Sequence, residues 1–390
     1  MRFLKILGSD FLHESRNERE LEVVRSLGYS ISILGRKTDS NHLFSIPDCT
    51  TVWKTVEPLH PFIKSKALNR AACLIPWAIQ ARKMKADVIS CHDITYLFVG
   101  WLSTLWMSNK PKLVYDSHEF EYERADKRNR FLKEIIRKIE KFLMKRCAFS
   151  MMVNDIIADS VQELHHLKVR PIVVRNIPKK WKISADEAKK MRRDFLTKNN
   201  LPEDTFICMY HGIVVEGRGI ENSIRALSKV TGCVLYILGN GSENAISFFK
   251  KVAKEEMVED RVFFHPAVNG QELPIYVSMA DLGMVLIEGV CKSYYYSLPN
   301  KLFENIQALT PVLGSDFPEI KKIIDEYGIG EIVNPEDVNL IAQRINVLRT
   351  NRDKYNKLKD NLLKAKDTLC WENERKVLEN EYQKLIYEKK

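Results

Sequence analysis

The stretch Phe206-Ile207-Cys208-Met209-Tyr210-His211-Gly212-Ile213-Val214-Val215-Glu216-Gly217-Arg218-Gly219-Ile220 decides the fold. Residues 206–210 form a short apolar run, the pattern of a strand buried on both faces. The run ends in a glycine-bearing loop that leads straight into a helical stretch over 220–228. The unit then recurs. A second apolar run over 233–238 ends in Gly239-Asn240-Gly241 before a helix over 245–256. Strands over 262–264, 282–286, 312–314 and 330–333 continue the pattern, with helices over 273–280, 301–308 and 319–324 between them. Strands alternating with helices predict a parallel sheet covered on both faces.

The first half reads the same way, with strands over 2–7, 30–34, 88–90, 113–115 and 150–153. Helices are expected over 18–27, 94–107 and 129–147. In the last of these, Phe131, Leu132, Ile135, Ile136, Ile139, Phe142 and Leu143 recur at helical spacing, and the spacing predicts that they face the first sheet. Val174-Arg175-Asn176-Ile177-Pro178 and the lysine-rich stretch after it interrupt the pattern. The expected boundaries are therefore 1–177 and 178–368, with a charged helix over 369–390 closing the chain. The fold class is α/β, two Rossmann-like domains whose facing strand ends form a ligand cleft.

Length agrees, since 390 residues suit two domains at about 150 residues each. The eight cysteines are widely spaced with no C-x-x-C pair, which argues against a disulfide scaffold or a zinc site and for a reducing, cytoplasmic setting. The opening apolar run is cut off by Gly8-Ser9-Asp10, too short for a signal peptide. The longest apolar run, 94–107, falls short of the roughly 20 residues of a spanning helix. The formal charge of +10 is concentrated at 127–146, where nine basic residues stand against Glu134 and Glu140. A basic face of this kind attracts anionic lipid, nucleic acid or a phosphorylated substrate. No nucleic-acid module accompanies it, so nucleic acid is the weaker reading.

Motif absences narrow the chemistry. The chain has no G-x-x-x-x-G-K-[ST], no G-x-G-x-x-G after its first strand, no G-x-S-x-G and no D-x-D pair. What remains for an anion is loop amides, helix N-termini and basic side chains. Gly217 and Gly219 bracket Arg218 just before a helix, so amides and a guanidinium can meet one anion there. Ser297-Leu298-Pro299-Asn300-Lys301-Leu302-Phe303-Glu304 is a second loop running into a helix. It sets Lys301 in the first turn, where a cation opposes the helix dipole. Glu304, one turn on, is placed to accept from ribose hydroxyls or to pair with Lys301. Taken together, Arg218, Lys301 and Glu304 favour a nucleoside diphosphate.

These residues carry a resemblance to the GT-B glycosyltransferases, and within them to glycosyltransferase family 4. Segments 211–219 and 238–241 resemble its glycine loops. Leu298-Pro299-Asn300-Lys301 through Glu304, followed by Thr310-Pro311-Val312, resembles its P-x-K-x-x-E…P-V signature. Segments 314–320 and 330–333 are similar to the family's stretch beyond that signature, and Trp371-Glu372 opens a final helix that in the family crosses back to the first domain. The resemblance implies that Arg218 and Lys301 hold the diphosphate and that Glu304 binds the ribose. Gly212, Gly217, Gly219, Gly239 and Asn300 would line the donor. A cationic clamp of this kind takes the place of a metal ion, so neither metal nor cofactor is expected. The family often has a second glutamate where this chain has Tyr296, and a further basic residue near Gly212 that is absent here. Retention of anomeric configuration and a role in bacterial surface polysaccharide or glycolipid synthesis belong to the same expectation.

In the first half, Tyr115-Asp116-Ser117-His118-Glu119 follows a strand and resembles the family's strand-end histidine, so His118 is expected at the sugar or the acceptor. His92 and Asp93, at another strand end, and His13, Arg16 and Asn17, after the first strand, are the remaining acceptor-side candidates. The expected partners are a nucleotide-sugar and a saccharide or lipid-linked saccharide. The basic helix over 129–147 is expected to make peripheral contact with an anionic membrane. Two rivals stand beside this reading: a sugar-nucleotide 2-epimerase of the same fold, and a non-catalytic nucleotide-sugar-binding partner of another transferase.

Overall fold

The computed structural model describes residues 1–8, 15–36, 52–56, 66–105, 107–123 and 129–388. The chain divides into two compact units, Met1–Arg175 with Arg375–Lys390, and Asn176–Glu374.

The first unit is built on seven parallel strands: β1 (Arg2–Ile6), β2 (Ser30–Arg36), β3 (Val52–Val56), β4 (Val88–His92), β5 (Lys112–Asp116), β6 (Cys147–Met152) and β7 (Ile172–Val173). Their order is β3-β2-β1-β4-β5-β6-β7. The order reverses between β1 and β4, and the strand ends at such a reversal are left open by the connections.

A fully buried lysine organises this point. Lys5 on β1 has no exposure, and its ammonium lies 2.5 Å from Glu20 and 3.4 Å from Asp116. Ser90 on β4 donates to the other oxygen of Glu20 at 2.7 Å. Burial pushes the Lys5 ammonium toward neutrality, but Glu20 and Asp116 outweigh it and hold its pKa above the ordinary lysine value. The last helix, Trp371–Tyr387, joins the same group. The Tyr382 hydroxyl donates to Glu20, its ring packs edge-on against Phe3 and Phe149, and its carbonyl accepts from the Tyr29 hydroxyl at 2.9 Å.

Helix Arg130–Met144 corrects the sequence expectation. Its apolar set does not face the sheet as a whole. Leu143 and Met144 are buried, but Phe131 is 76% exposed, and Leu132, Ile135, Ile139 and Phe142 are between 36% and 42% exposed. A buried carboxylate fixes which side faces inward. Glu140 accepts from the Tyr115 hydroxyl at 2.9 Å and lies 3.0 Å from His165 Nε2. Turning the apolar stripe inward would strip Glu140 of both partners.

The second unit has six parallel strands: β8 (Phe206–His211), β9 (Cys233–Leu238), β10 (Val262–His265), β11 (Leu282–Val285), β12 (Val312–Ser315) and β13 (Gly330–Val333). They run in the order β10-β9-β8-β11-β12-β13, with the reversal between β8 and β11. Strand β8 sends Phe206, Cys208 and Tyr210 into one apolar cluster and Ile207 and Met209 into another. That is why its sequence reads as an uninterrupted apolar run.

Several elements were not expected from the sequence. The lysine-rich stretch holds helix Ala185–Lys198, whose Ser184 side chain accepts from the Glu187 amide at 3.3 Å. Helices Lys66–Lys83, Asp155–His165, Val338–Thr350 and Arg352–Thr368, and strands β3 and β7, complete the two units. The units part between Arg175 and Asn176, and again between Glu374 and Arg375, inside the last helix. The described cysteines are all free, and Cys49 lies outside the described residues. Among the described residues no helix is long and apolar enough to cross a membrane.

The Tyr382 hydroxyl gives a direct test of the buried group. Tyr382→Phe leaves buried Glu20 with one donor fewer, and should cost about 1–3 kcal/mol. The loss should appear as a lower urea midpoint for the first unit's transition, and an unchanged midpoint would show that Lys5 and Ser90 satisfy Glu20 alone.

Candidate active site

The second unit assembles its site where the strand order reverses. At the end of β8, Gly212 adopts a φ of +127° and its amide donates to Leu238 at 2.9 Å. A Cβ added at Gly239 would fall 1.7 Å from the Gly212 carbonyl oxygen. The two glycine loops therefore meet backbone to backbone, and only hydrogen fits between them. Gly219 begins helix Ile220–Leu227 at φ +72°, with its α-carbon against the Leu286 carbonyl. Gly217 accepts from the Glu288 amide at 3.1 Å, and the Glu288 carboxylate accepts from the Gly219 amide. Burial raises the Glu288 carboxyl above its ordinary pKa. One of the amides expected to face an external anion thus already serves an internal one.

Lys301 lies in the first turn of helix Asn300–Gln307 and is buried. Its ammonium sits 3.9 Å from the centre of the Tyr210 ring, and an added Cβ at Gly212 would stand 3.7 Å from its Nζ. Burial, with nearby Arg218 as the second cause, brings its pKa from 10.5 down to about 7, and Glu304 only partly offsets this. The alternative of a Lys301–Glu304 pair gives way to another partner, because Glu304 lies 2.9 Å from His211 Nε2 at the end of β8. Arg218 donates to the Tyr294 hydroxyl at 3.1 Å while its guanidinium lies 4.5 Å from the centre of the same ring. Tyr296 ends the short helix Lys292–Tyr295 as its C-cap, half-buried. Asn300 is exposed at the start of its helix.

The first unit has its own cluster, where β4 and β5 end. His92 and Asp116 are register partners, and Asp116 is fully buried. Its carboxylate lies 2.8 Å from Arg16, 3.4 Å from Lys5 and 3.2 Å from His118 Nε2. Burial alone would raise its pKa, but Arg16, His118 and Lys5 prevail and hold it well below the usual carboxylate range. The His92 and His118 rings lie 3.8 Å apart. Burial, then His118 and Lys5, push the His92 pKa down to about 2, so that ring stays neutral. His118 is the partly exposed member of the trio. Asp93 follows at φ +64°, a left-handed conformation unusual for a residue other than glycine.

Arg16 and Asn17 lie inside the unit. Arg16 is committed to Asp116 and to the Val174 carbonyl at 2.6 Å, so it holds Asp116. His13 lies outside the described residues. His92, Asp116 and His118 bring one ligand atom each within 4.8 Å of one another. They make a poor cation trap, because a divalent ion would join two cations already facing the single carboxylate. Four residues escaped the sequence reading: His211, Tyr210, Tyr294 and Glu288. The first two stand in the loop segment that opens the argument, but nothing local shows that they reach Glu304 and Lys301.

Comparison with known proteins adds to the geometry. Residues 191–364 match the family described as glycosyl transferases group 1. The second unit carries the segment that matches this glycosyltransferase family. The matched segment lies wholly within that unit and contains Arg218, Lys301 and Glu304. No curated protein matches the chain. Among solved structures the chain is similar to sucrose-phosphate synthase from Thermosynechococcus elongatus, with a TM-score of 0.79, 19% identity and 99% of each chain covered. It is also similar to Anabaena HepE in complex with UDP, with a TM-score of 0.76, 12% identity, and 99% of this chain and 100% of that one covered. A third is WaaG, a glycosyltransferase involved in lipopolysaccharide biosynthesis, with a TM-score of 0.64, 16% identity, and 97% and 99% covered. These likenesses give the GT-B fold to the chain, and the matched segment supports a glycosyltransferase enzyme.

Lys301 makes the second unit sensitive to pH in the absence of ligand. Between pH 7 and 10.5 the unfolded lysine holds a proton that the folded one has lost. Stability contributed by this group therefore rises with pH across that window. The urea midpoint of the second unit should climb from pH 7 to 9 relative to Lys301→Met, and parallel profiles would mean that Lys301 keeps its charge when buried.

Proposed function

We propose that this enzyme transfers a sugar from a nucleoside-diphosphate sugar to an acceptor hydroxyl. The observation that carries the reading is the pair Arg218 and Lys301, two cations held close at the β8–β11 reversal inside the matched domain. Lys301 is short of negative charge: Glu304, the carboxylate that favours its charged form, is engaged by His211. A diphosphate meets that need. The bound diphosphate favours the charged form of Lys301, so two cations stand ready to stabilise the negative charge that grows on the leaving phosphate as the glycosidic bond to the donor breaks. Tyr294 keeps Arg218 aimed by a hydrogen bond and a ring face.

Glu304, oriented by His211, accepts from the ribose hydroxyls. Gly212, Gly217, Gly219, Gly239 and Asn300 shape the pocket around the nucleotide, and Tyr296 stands toward the donor sugar. His118, backed by Asp116, hydrogen-bonds the sugar or positions the acceptor, with His92 and Asp93 beside it. Neighbouring structures holding UDP and UDP-glucose support a uridine donor. In this reading the reaction retains configuration and needs no divalent metal, because the cationic pair supplies the charge a metal would bring. The acceptor is a saccharide or a lipid-linked saccharide of a bacterial surface polysaccharide or glycolipid, and the enzyme works peripherally at the inner face of the cell membrane.

Thermal stabilisation by a panel of nucleotides, with EDTA present, tests the donor site first. One nucleoside diphosphate should raise the melting temperature, and Arg218→Ala or Lys301→Ala should abolish the shift. Nucleotide release that depends on an added acceptor then separates transfer from epimerisation. Arg218→Ala should lower that rate by about 100- to 1000-fold. An absence of stabilisation by any nucleotide would falsify the donor site.

A further inference from the structure

We propose that the outer face of helix Arg130–Met144, with Trp101 beside it, seats on an anionic membrane surface. The inference deepens the peripheral location proposed above by naming the surface and the lipid chemistry, and it rests on that part of the reading alone.

The exposed residues of this helix are of two kinds. At 3.6 residues per turn, Phe131, Ile135 and Phe142 fall on one stripe with Ile139 and Leu132 at its edge, away from buried Glu140, Leu143 and Met144. The stripe continues onto helix Asp93–Ser103, where the Trp101 ring packs edge-on against Phe142 at 5.3 Å and Phe98 lies 5.4 Å from Trp101. Lys138, Lys145 and Arg146 are exposed around it, and the Arg146 guanidinium lies over the Phe142 ring. The two acidic groups of the helix are occupied. Glu134 holds Arg137 at 2.8 Å and the Tyr122 hydroxyl at 2.7 Å, and Glu140 is buried. Among the described residues of this helix, the charge left for a partner is positive.

Charge selects the occupant. A second copy of the chain docking helix to helix would press two cationic faces together. An apolar stripe bordered by lysines suits the headgroup boundary of an anionic bilayer, where the apolar residues enter the acyl region and the ammonium groups remain among phosphates. A tryptophan beside the stripe fits the same boundary, its ring apolar and its N–H polar.

Cosedimentation of the full chain with vesicles of phosphatidylcholine alone, and with added phosphatidylglycerol, tests the proposal. Binding should be about tenfold stronger on the anionic vesicles and should fall in high salt. Phe131→Ser with Phe142→Ser, both at exposed positions, should lower it about tenfold, and so should Lys138→Glu with Lys145→Glu. Melting temperature and nucleotide-induced stabilisation should stay as in the parent chain. Equal binding to both vesicle types, or binding indifferent to these substitutions, overturns the surface while the donor site stands. So does a dimer in solution that the Phe131 and Phe142 substitutions dissolve. Loss of nucleotide stabilisation in the parent chain, with vesicle binding intact, would overturn the donor site and leave the surface.

Discussion

Lys5 carries a positive charge at a fully buried place, and the first unit is arranged around settling it. An ammonium in such a place stays charged only when carboxylates stand against it. Glu20 comes from the first helix and Asp116 from the end of β5. Asp116 in turn needs Arg16, and Glu20 needs Ser90 and Tyr382. One charge thus sets the approach of β1, β4 and β5, the seating of the helix Ser15–Ser26, and the docking of the last helix. His118 inherits its orientation from this arrangement, since its partner Asp116 has no freedom to move.

The second unit uses the same strand order and settles charge in the opposite way. At its reversal point Arg218 lies near enough to Lys301 to disfavour the lysine's charge. Their near contacts are aromatic rings rather than carboxylates, with Tyr210 under Lys301 and Tyr294 under Arg218. Rings hold cations in place without neutralising them. One unit is balanced internally, and the other is held short of negative charge at the point where its sheet is open. That contrast gives each unit its part in the proposed chemistry: a fixed histidine in one and a waiting cationic pair in the other.

How much of this the sequence discloses depends on the range of the interaction. The parallel sheets are legible because β8 and β9 must be apolar on both faces, and the glycine loops because backbone-on-backbone contact at Gly212 and Gly239 tolerates no side chain. The placement of Lys301 in a first helical turn is legible too. Pairings across the sheet are not. His211 meets Glu304, and Arg218 meets Tyr294, at separations that local pattern does not encode. Helix Arg130–Met144 misleads for a related reason. Periodicity finds an apolar stripe, but the inward side is decided by Glu140 and its partners Tyr115 and His165, each on a different element. The helix after Pro178 stays hidden because lysine-rich composition masks a serine cap and a regular helix behind it.

Tyr382 also bears on the order in which the molecule can be made. The second unit is one uninterrupted segment, Asn176–Glu374, whereas the first is assembled from segments on either side of it. A ribosome delivers Lys5, Glu20 and Asp116 early and the phenol that completes their group only with the final helix. The first unit is therefore sealed only after the whole of the segment Asn176–Glu374 has emerged. Until then Glu20 is one donor short and the ring edges of Phe3 and Phe149 lack the phenol that packs against them.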